Sequence, residues 1–308
     1  MATDTSESEA AGAPDAYRRL LEEYRRVANL RAASGVLSWD QQVMMPEAGT
    51  PARSRQLSTL SGLSHELLTD DSVGAALDEL DAADLTPEQS ASVREIRRTH
   101  DRAAAVPQSL IEEMSTASSE ALPAWEAAKA DDDFASFEPH LETHVELSRQ
   151  YAEHIDPDRD PYATLFEEFE PCLPLERAES ILGTLKEALI PMIEEIRSSE
   201  ADLATDAFTS LGSYPADTQE ELCRDVLSAL GYPWDRGRLD TAPHPFSSGT
   251  TFDARVTTRF DESDPLGSLL STVHEFGHAT YTLGLPDDGY GTPLGEDRDL
   301  SVHESQSR

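Results

Sequence analysis

Helical spacing of apolar residues from Ala16 to about Leu230 limits the fold of this chain more than any other feature. In "AYRRLLEEYRRVANLRAASGVLSW" and "PLERAESILGTLKEALIPMIEEIRSS" apolar residues recur every three or four positions, which is typical of helices with one buried face. A third segment, "TPEQSASVREIRRTHDRAAAV", opens on Thr86, a residue type that caps helix N-termini. Pro191 lies inside the second segment, so we expect a kink or a break there. This part of the chain is therefore predicted to be a large helical body.

The pattern changes between residues 242 and 260. "APHPFSSGTTFDARVTTRF" is rich in residues that favour strands and turns, and its second half alternates like a strand with one buried face. "DPLGSLLSTVHEFGHATYTLGL" returns to a helical period, "DDGYGTPLGEDRD" is typical of a loop, and "LSVHESQSR" of the first turns of another helix. Turn residues predict breaks at "MMPEAGTP", "LTPEQ", "IDPDRDPY" and "YPADTQ". We predict a mainly α fold with a small β-sheet insertion beside its last two helices.

The charge of the chain is strongly negative. It has 60 acidic and 24 basic residues and a formal net charge of -36 at pH 7. So much like charge repels itself in dilute buffer and is screened by salt, so we expect a protein of a halophile, with a salt-rich cytoplasm. The same charge disfavours binding to nucleic acids. An acidic face that binds a basic partner is the alternative, although the acids are spread along the whole chain.

Membrane insertion and secretion are not indicated. No stretch approaches the roughly 20 apolar residues that span a bilayer, and "MATDTSESEAAGAPD" lacks the basic start and apolar run of a secretory signal. Residues 1–14 are predicted to be a disordered acidic tail. Cys172 and Cys223 lack the spacing of a metal site or a disulfide framework, and we expect both to be buried as small apolar side chains. These features predict a soluble cytoplasmic protein.

The segment "STVHEFGHATY" (residues 271–281) contains the spacing H-E-x-x-H. On a helix His274 and His278 lie one turn apart on the same face, so both imidazoles can bind one zinc ion. Glu275 lies about 100° around the helix, near the open position of such a metal. Its carboxylate can there take a proton from water and return it to a leaving amine. The motif therefore predicts a zinc peptidase.

Two further features favour a metal site over a chance pattern. Small and apolar neighbours should bury the helix, and buried histidines need partners, which a metal supplies; these neighbours are Leu269, Leu270, Val273, Phe276 and Ala279. Glu304, on the next predicted helix, would complete a site of two histidines and one glutamate with an open position for water. His303 is the alternative third ligand, but it points about 100° away from Glu304, and we predict that Glu304 binds the metal.

Several stretches of the sequence resemble the Taq-type thermostable metallocarboxypeptidases. They are "HPFS" (His244–Ser247), the D-x-R-x-T pattern in "DARVT", "HEFGHA" (His274–Ala279) and "HESQ" (His303–Gln306). "LSWDQQVMMPEAG" (Leu37–Gly49) and "STLSGLSHELLTD" also resemble the opening helices of that family. Several independent motifs in the same order are far more specific than H-E-x-x-H alone, and the resemblance extends along essentially the whole chain.

The resemblance implies a nearly all-helical, zincin-like fold with a deep substrate groove and a small sheet at its side. It also implies a metallocarboxypeptidase that releases single residues from the C-termini of peptides with broad specificity and is usually a homodimer. We predict zinc as the metal, with cobalt as the alternative. His274, His278 and Glu304 would bind the metal, and Glu275 would be the general base. The positions implied to lie at the substrate are His244, Asp253, Arg255 and Thr257.

Structural roles are the alternative for two sets of residues in these stretches. Asp253 and Arg255 could form an ion pair that holds their strand in place, rather than contact a substrate. For Asp40, in "SWDQQ", we predict a structural role, in which it braces the helix turn before Met44–Pro46.

The family has two more motifs, I-R-x-x-A-D and G-x-x-Q-D-x-x-W, which we expect beyond Arg308. Residues 15–308 are accordingly predicted to be the N-terminal portion of a single helical catalytic domain, without its C-terminal portion. An exopeptidase binds the terminal carboxylate of its substrate, for which an arginine fork is suited, and Arg255 and Arg308 are the nearby candidates. Glu304 lies near the end of the chain, where a helix frays, so we expect a loosely held third ligand.

Two other functions fit the same residues. An endo-acting or dipeptide-releasing zinc peptidase would use the same metal site and differ in its products. An inactive helical protein that binds metal or a partner subunit would keep the metal site without turnover.

Overall fold

The computed structural model describes residues 13–199 and 212–308 and is mainly helical, as predicted. Between Asp15 and Ser198 its helices are joined by short connections, several of which contain the predicted turn residues. In chain order the helices of the described residues are α1 (Asp15–Val43), α2 (Thr50–Leu68), α3 (Asp71–Leu80), α4 (Pro87–Ala105), α5 (Gln108–Asp131), α6 (Phe134–Ile155), α7 (Pro161–Phe169), α8 (Leu175–Ser198), α9 (Ala216–Ala229), α10 (Pro265–Leu283) and α11 (Leu300–Gln306).

A small sheet lies between α9 and α10, where the sequence predicts it. Its strands are β1 (Leu239–Thr241), β2 (Ser247–Thr250) and β3 (Asp253–Thr258). β3 is central: it pairs in parallel with β1 and antiparallel with β2, so β2 forms one edge of the sheet. Short 3₁₀ turns at Glu47–Gly49, Asp287–Gly289 and Pro293–Gly295 complete the described elements.

Each predicted break lies at a helix end, and the predicted cap is present. Thr86 accepts a hydrogen bond from the backbone N–H of Gln89, whose side chain accepts one from Thr86 in return, a reciprocal capping box. Of the kink or break expected at Pro191, the break is absent, since α8 continues from Leu175 to Ser198. A proline leaves the carbonyl four residues earlier, here that of Glu187, without its helical donor. The turn around Glu187 is exposed, so water can bind that carbonyl.

Asp40 has the structural role predicted for it. Its carboxylate forms a 2.6 Å ion pair with the buried Arg53 of α2. Its backbone carbonyl accepts hydrogen bonds from the N–H groups of Met44 and Met45, at 3.0 and 2.7 Å. Asp40 therefore closes the end of α1 and joins it to α2.

The sheet and the helix that carries the H-E-x-x-H motif share one apolar core. Its buried members come from α9, the turn that follows it, β1, β3 and α10. They are Cys223, Leu227, Tyr232, Leu239, Ala254, Val256 and Ala279. Because β3 contributes Ala254 and Val256 on one face, the strand alternates as predicted at its start, whereas both Thr257 and Thr258 are buried at its end. This core fixes the orientation of α10 relative to β1 and β3.

The sequence also makes predictions about the two cysteines, the N-terminal tail and membrane insertion. Cys223 is buried as predicted, but Cys172 is exposed, and its sulfur accepts a 3.0 Å hydrogen bond from Arg298; the prediction for Cys172 was wrong because a thiol can pair with a surface cation as well as pack in a core. Of the predicted disordered tail, residues 1–12 lie outside the described residues, and Ala13 is buried against α1. In the described ranges no helix has the length and apolar character that a membrane span requires.

Candidate metal centre

α10 presents His274 and His278 on one face, as the four-residue spacing predicts. The helix begins at Pro265, and Asp264 caps it by accepting a hydrogen bond from the N–H of Gly267 at 3.0 Å. The His278 side chain is 9% exposed and that of His274 is 45% exposed. The pair therefore lies where the buried core meets open surface.

The buried face of α10 differs in part from the expected one. Leu270 is exposed, contrary to the prediction, and the buried positions include the small polar residues Ser268 and Thr272. Thr272 donates hydrogen bonds to the Ser268 carbonyl and to the sulfur of Cys223. Because these side chains are satisfied locally, a helix can bury them at little cost, and hydrophobicity alone does not identify the buried face.

Two histidine nitrogens and one carboxylate oxygen converge at this face. The Nε2 atoms of His274 and His278 are 3.2 Å apart, and Oε2 of Glu304 lies 4.0 Å from the first and 3.7 Å from the second. A circle through these three atoms has a radius of about 2.1 Å, equal to zinc–nitrogen and zinc–oxygen bond lengths of about 2.0–2.2 Å. Within the described residues, this is the one group of three or more histidine, cysteine or acidic side chains arranged to hold a metal. The residues present therefore fit a metal with an open fourth position.

Close packing of α11 against α10 brings Glu304 to the histidines. A Cβ atom on Gly277 would lie 2.5 Å from the carbonyl oxygen of Gln306 and from Cα of Ser307, so only glycine allows this approach. At its other end α11 is capped by Asp299, and the N–H of Ser301 donates a 2.6 Å hydrogen bond to Glu170. α11 is thus held at both ends, although the Glu304 side chain is 51% exposed. The predicted loose binding of a metal by Glu304 stays a prediction.

His303 lies behind the ligand atoms rather than among them. Its Nδ1 is 2.6 Å from Nδ1 of His278, on the side of that ring away from Glu304. Its Nε2 faces Oδ2 of Asp297 at 3.5 Å. Of the two candidates for the third ligand, the structure brings Glu304 to the histidine Nε2 atoms and gives His303 a contact with Nδ1 of His278 instead.

Glu275 is buried beside the three ligand atoms. Burial and, less strongly, the nearby Glu304 carboxylate together raise the pKa of its carboxyl to about 7, against the opposing effect of a hydrogen bond from the backbone of Ser247. Burial and the neighbouring His303 lower the pKa of His278, which favours the neutral imidazole that binds a metal. The site therefore combines a His278 ring that favours its neutral form with an acid–base group whose pKa lies near neutral pH.

The four residues implied to contact a substrate have different surroundings. The Arg255 guanidinium binds Asp253 at 2.6 Å and stacks on the ring of Trp39 at 4.3 Å. Thr257 is fully buried, and its hydroxyl exchanges hydrogen bonds with the backbone N–H and carbonyl of Phe246. His244 is exposed. These contacts favour the ion-pair alternative for Asp253 and Arg255 and a role for Thr257 in holding the "HPFS" segment; substrate contact by the four residues stays a prediction.

Sequence patterns do not single out several residues that complete the site. The contact of Asp297 with His303 depends on the fold, and no spacing rule connects the two residues. Ser247 belongs to the "HPFS" motif, but its backbone hydrogen bond to Glu275 is not indicated by that motif. Gly277 could have been noticed, because a glycine inside a helix is unfavourable unless something packs closely against it.

Comparisons with known proteins agree with this geometry. A sequence profile of the carboxypeptidase Taq (M32) metallopeptidase family matches residues 19–308. The chain belongs to this family. Thermostable carboxypeptidase 1 of Thermus thermophilus is 34% identical over 95% of the chain, and Carboxypeptidase 1 of Bacillus subtilis is 30% identical over 92%. The match covers 60% and 57% of those two proteins, so this chain spans about three-fifths of the length of the curated relatives it matches.

Solved structures in the family share the fold. The crystal structure of BsuCP superposes with a TM-score of 0.90 at 29% sequence identity. The match covers 96% of this chain and 59% of the BsuCP chain. The M32 carboxypeptidase from Deinococcus radiodurans R1 superposes with a TM-score of 0.81 at 32% sequence identity. This match covers 96% of this chain and 59% of the Deinococcus chain. As a member of a metallopeptidase family, the chain is expected to bind a metal, and the three converging ligand atoms are where the described residues can hold one.

Proposed function

We propose that this chain carries the metal site of a zinc-dependent carboxypeptidase that releases single residues from the C-termini of peptides with broad specificity. The supporting observation is the convergence of His274 Nε2, His278 Nε2 and Glu304 Oε2 beside the buried carboxyl of Glu275. When bound to three such ligands, zinc polarises a carbonyl and lowers the pKa of water. Cobalt, which accepts similar ligands, is the alternative metal.

Glu275 is the general base in this proposal. A carboxyl with a pKa of about 7 is divided between its two protonation states near neutral pH, which suits a group that accepts a proton from water and then donates it. The hydrogen bond from the Ser247 backbone holds the carboxyl in place as its proton moves. The proton that Glu275 gains is the one it gives to the leaving amine, so the group returns to its starting state.

The free edge of β2 is the proposed binding surface for the peptide. Among the described residues β2 pairs with β3 alone, and an extended peptide can add to such an edge through backbone hydrogen bonds. Ser247 lies on this strand and contacts Glu275, so a peptide along β2 passes the general base. His244 and the Asp253–Arg255 pair flank β2 and remain the proposed contacts with the substrate.

The proposal also includes the environment and assembly of the protein. A net charge of -36 supports a salt-rich cytoplasm of a halophile, and family resemblance supports a homodimer. Circular dichroism during dialysis into dilute buffer tests the proposed need for high salt, because loss of charge screening should unfold the chain. Analytical ultracentrifugation in high salt tests whether the chain forms a homodimer.

Metal content and turnover of the 308-residue chain, purified in high salt, test the central proposal. We expect about one zinc per chain and hydrolysis of a blocked dipeptide. Glu275→Gln should retain zinc and lose about 10²- to 10⁴-fold in rate, while Glu138→Gln, an exposed change on α6, should change neither. Equal rates for Glu275→Gln and the parent would exclude Glu275 as the base.

Product analysis separates the exopeptidase from its alternatives. Mass spectrometry of one defined peptide should show stepwise loss of single C-terminal residues. Release of dipeptides, or cleavage inside the peptide, would instead identify a dipeptide-releasing or endo-acting zinc peptidase.

An inactive metal-binding protein is the second candidate function. The observation in its favour is that Asp253 already occupies the Nε and Nη2 side of the Arg255 guanidinium, so that side is not open to a substrate carboxylate. Stoichiometric zinc without turnover of any peptide would support this candidate.

A further inference from the structure

We propose that His303 is a positioning residue that fixes His278 in the tautomer able to bind metal, and that Asp297 orients His303 in turn. The proposal rests on the proposed metal site, and it assigns to His303 a role different from that of a ligand. It concerns the direction of one hydrogen bond and how that direction controls metal affinity.

The contact between the two histidines is short and enclosed. Their Nδ1 atoms are 2.6 Å apart, and their ring centroids are 4.5 Å apart. The ring of Tyr281 packs edge-on against His303 at 5.4 Å, and the His303 side chain is 19% exposed. A hydrogen bond shielded in this way is stronger than one in water.

The tautomers follow from counting protons. Nε2 of His278 faces His274 and Glu304, so binding a metal there requires that Nε2 carry no proton. The single proton of the neutral ring is then on Nδ1, which must donate it to Nδ1 of His303. His303 accordingly keeps its own proton on Nε2, where the Asp297 carboxylate, 3.5 Å away, can accept it.

The opposite direction would prevent metal binding. If His303 donated from Nδ1, His278 would have to accept on its Nδ1 and carry its proton on Nε2, where the metal must bind. Asp297 opposes that arrangement because a carboxylate favours a proton on the His303 nitrogen that it faces. By orienting His303, Asp297 thus favours the tautomer of His278 that can bind a metal.

The segment around Asp297 is anchored to two helices. The hydroxyl of Tyr24 on α1 donates a 2.8 Å hydrogen bond to Glu296, and the N–H of Arg298 donates to the hydroxyl of Tyr281 on α10 at 3.2 Å. The Asp297 side chain itself is 59% exposed, so solvent weakens its contact with His303. We therefore expect a smaller effect from changing Asp297 than from changing His303.

Zinc affinity, measured by competition with a chromophoric chelator in high salt, tests the proposal. His303→Phe keeps an aromatic ring and removes the acceptor, and we expect zinc affinity to fall by about 10- to 100-fold. His303→Asn places an amide oxygen near the former Nδ1 and should restore most of the loss. Asp297→Asn should lose less than His303→Phe, and His144→Phe, on α6, is the matched control and should match the parent.

Nuclear magnetic resonance of the parent protein gives a readout that needs no variant. Long-range ¹H–¹⁵N correlations of the zinc-loaded protein should show a proton on Nδ1 of His278 and on Nε2 of His303. Parent-like zinc affinity in His303→Phe, or a proton on Nδ1 of His303, would overturn the proposal. If neither the parent nor the control His144→Phe bound zinc, the proposed metal site itself would be wrong. That result differs from parent-like zinc affinity in His303→Phe, which would contradict only the role of His303.

Discussion

Helix α10 is packed on several sides by the rest of the molecule, whereas most of helix α8 is exposed. α10 packs against the sheet, α9 and α11 and buries six of its side chains, including both Glu275 and His278. α8 is longer, yet Ala178 is its one buried residue, and its main neighbour in the described part of the chain is the short α7. Its exposed apolar residues are Ile181, Leu182, Leu185, Leu189, Ile190, Met192, Ile193 and Ile196.

The comparison shows that a helical sequence pattern does not determine how well a helix is packed. All but Ile190 of these α8 residues lie within an arc of about 120°, the usual width of a face that packs on a core. Among the described residues nothing covers this face, whereas the face of α10 is covered although it contains polar groups. Because tertiary packing supplies most of the stability of a helix, we expect α10 to be locally stable and α8 to open readily.

The largest expected difference between the two helices comes from metal binding. A ligand that binds only the folded state at 1,000 times its dissociation constant stabilises that state by about 4 kcal/mol. Zinc should therefore slow amide hydrogen exchange in α10 and α11 and leave α8 almost unchanged. Hydrogen exchange with mass spectrometry, with and without zinc, measures this.

A chelator and a ligand variant are the controls for that experiment. Excess EDTA should return α10 to its metal-free exchange rates, and His278→Ala should show no zinc-dependent protection. Equal protection of α8 and α10 by zinc would mean that the two helices unfold as one unit, and the contrast between them would be lost.

Core truncation should separate the two regions by a slightly smaller amount. Leu227, in the core under α10, is 0% exposed, and Leu182 on α8 is 64% exposed. Leu227→Ala removes buried methyl groups and leaves a cavity, so we expect a loss of about 2–5 kcal/mol in the free energy of unfolding. Leu182→Ala, the same chemical change on α8, should cost less than about 0.5 kcal/mol. Urea denaturation in high salt compares them, and similar losses would show that α8 is packed in solution.

The buried carboxyl of Glu275 should give the metal-free protein a pH dependence that α8 lacks. Burial raises its pKa from 4.5 to about 7. Between these values the unfolded carboxyl loses its proton while the folded one keeps it, so the folded state loses stability as pH rises through this window. We expect a loss on the order of 2 kcal/mol by pH 8 relative to pH 4.

The difference between the parent and Glu275→Gln isolates this group from the other titrating residues. The variant cannot ionise at this position, so its stability should fall less between pH 4 and pH 8. A parallel pH dependence of the two proteins, followed by urea denaturation in EDTA, would show that Glu275 titrates normally and is not buried as described.

The fold class, the sheet insertion and the candidate ligands could be predicted from sequence because each has a local signal. Helical periodicity marks the helices, and H-E-x-x-H with a glutamate on the next helix marks the candidate metal ligands. The contact of His303 with His278 could not be predicted, because the relative rotation of α10 and α11 decides it. Nor could the exposure of Leu270 or of the α8 face, since periodicity identifies an apolar face without identifying what packs on it.

The smallest expected effect on stability comes from charge on the α8 face. Leu182→Glu with Ile193→Glu places two carboxylates where the side chains are exposed, so the free energy of unfolding should change by less than about 0.5 kcal/mol. Large exposed apolar patches promote association, so the double variant should associate less than the parent at the same concentration. Sedimentation velocity measures association and urea denaturation measures stability. A loss above about 1 kcal/mol would mean that this face is covered in solution, and α8 would then resemble α10.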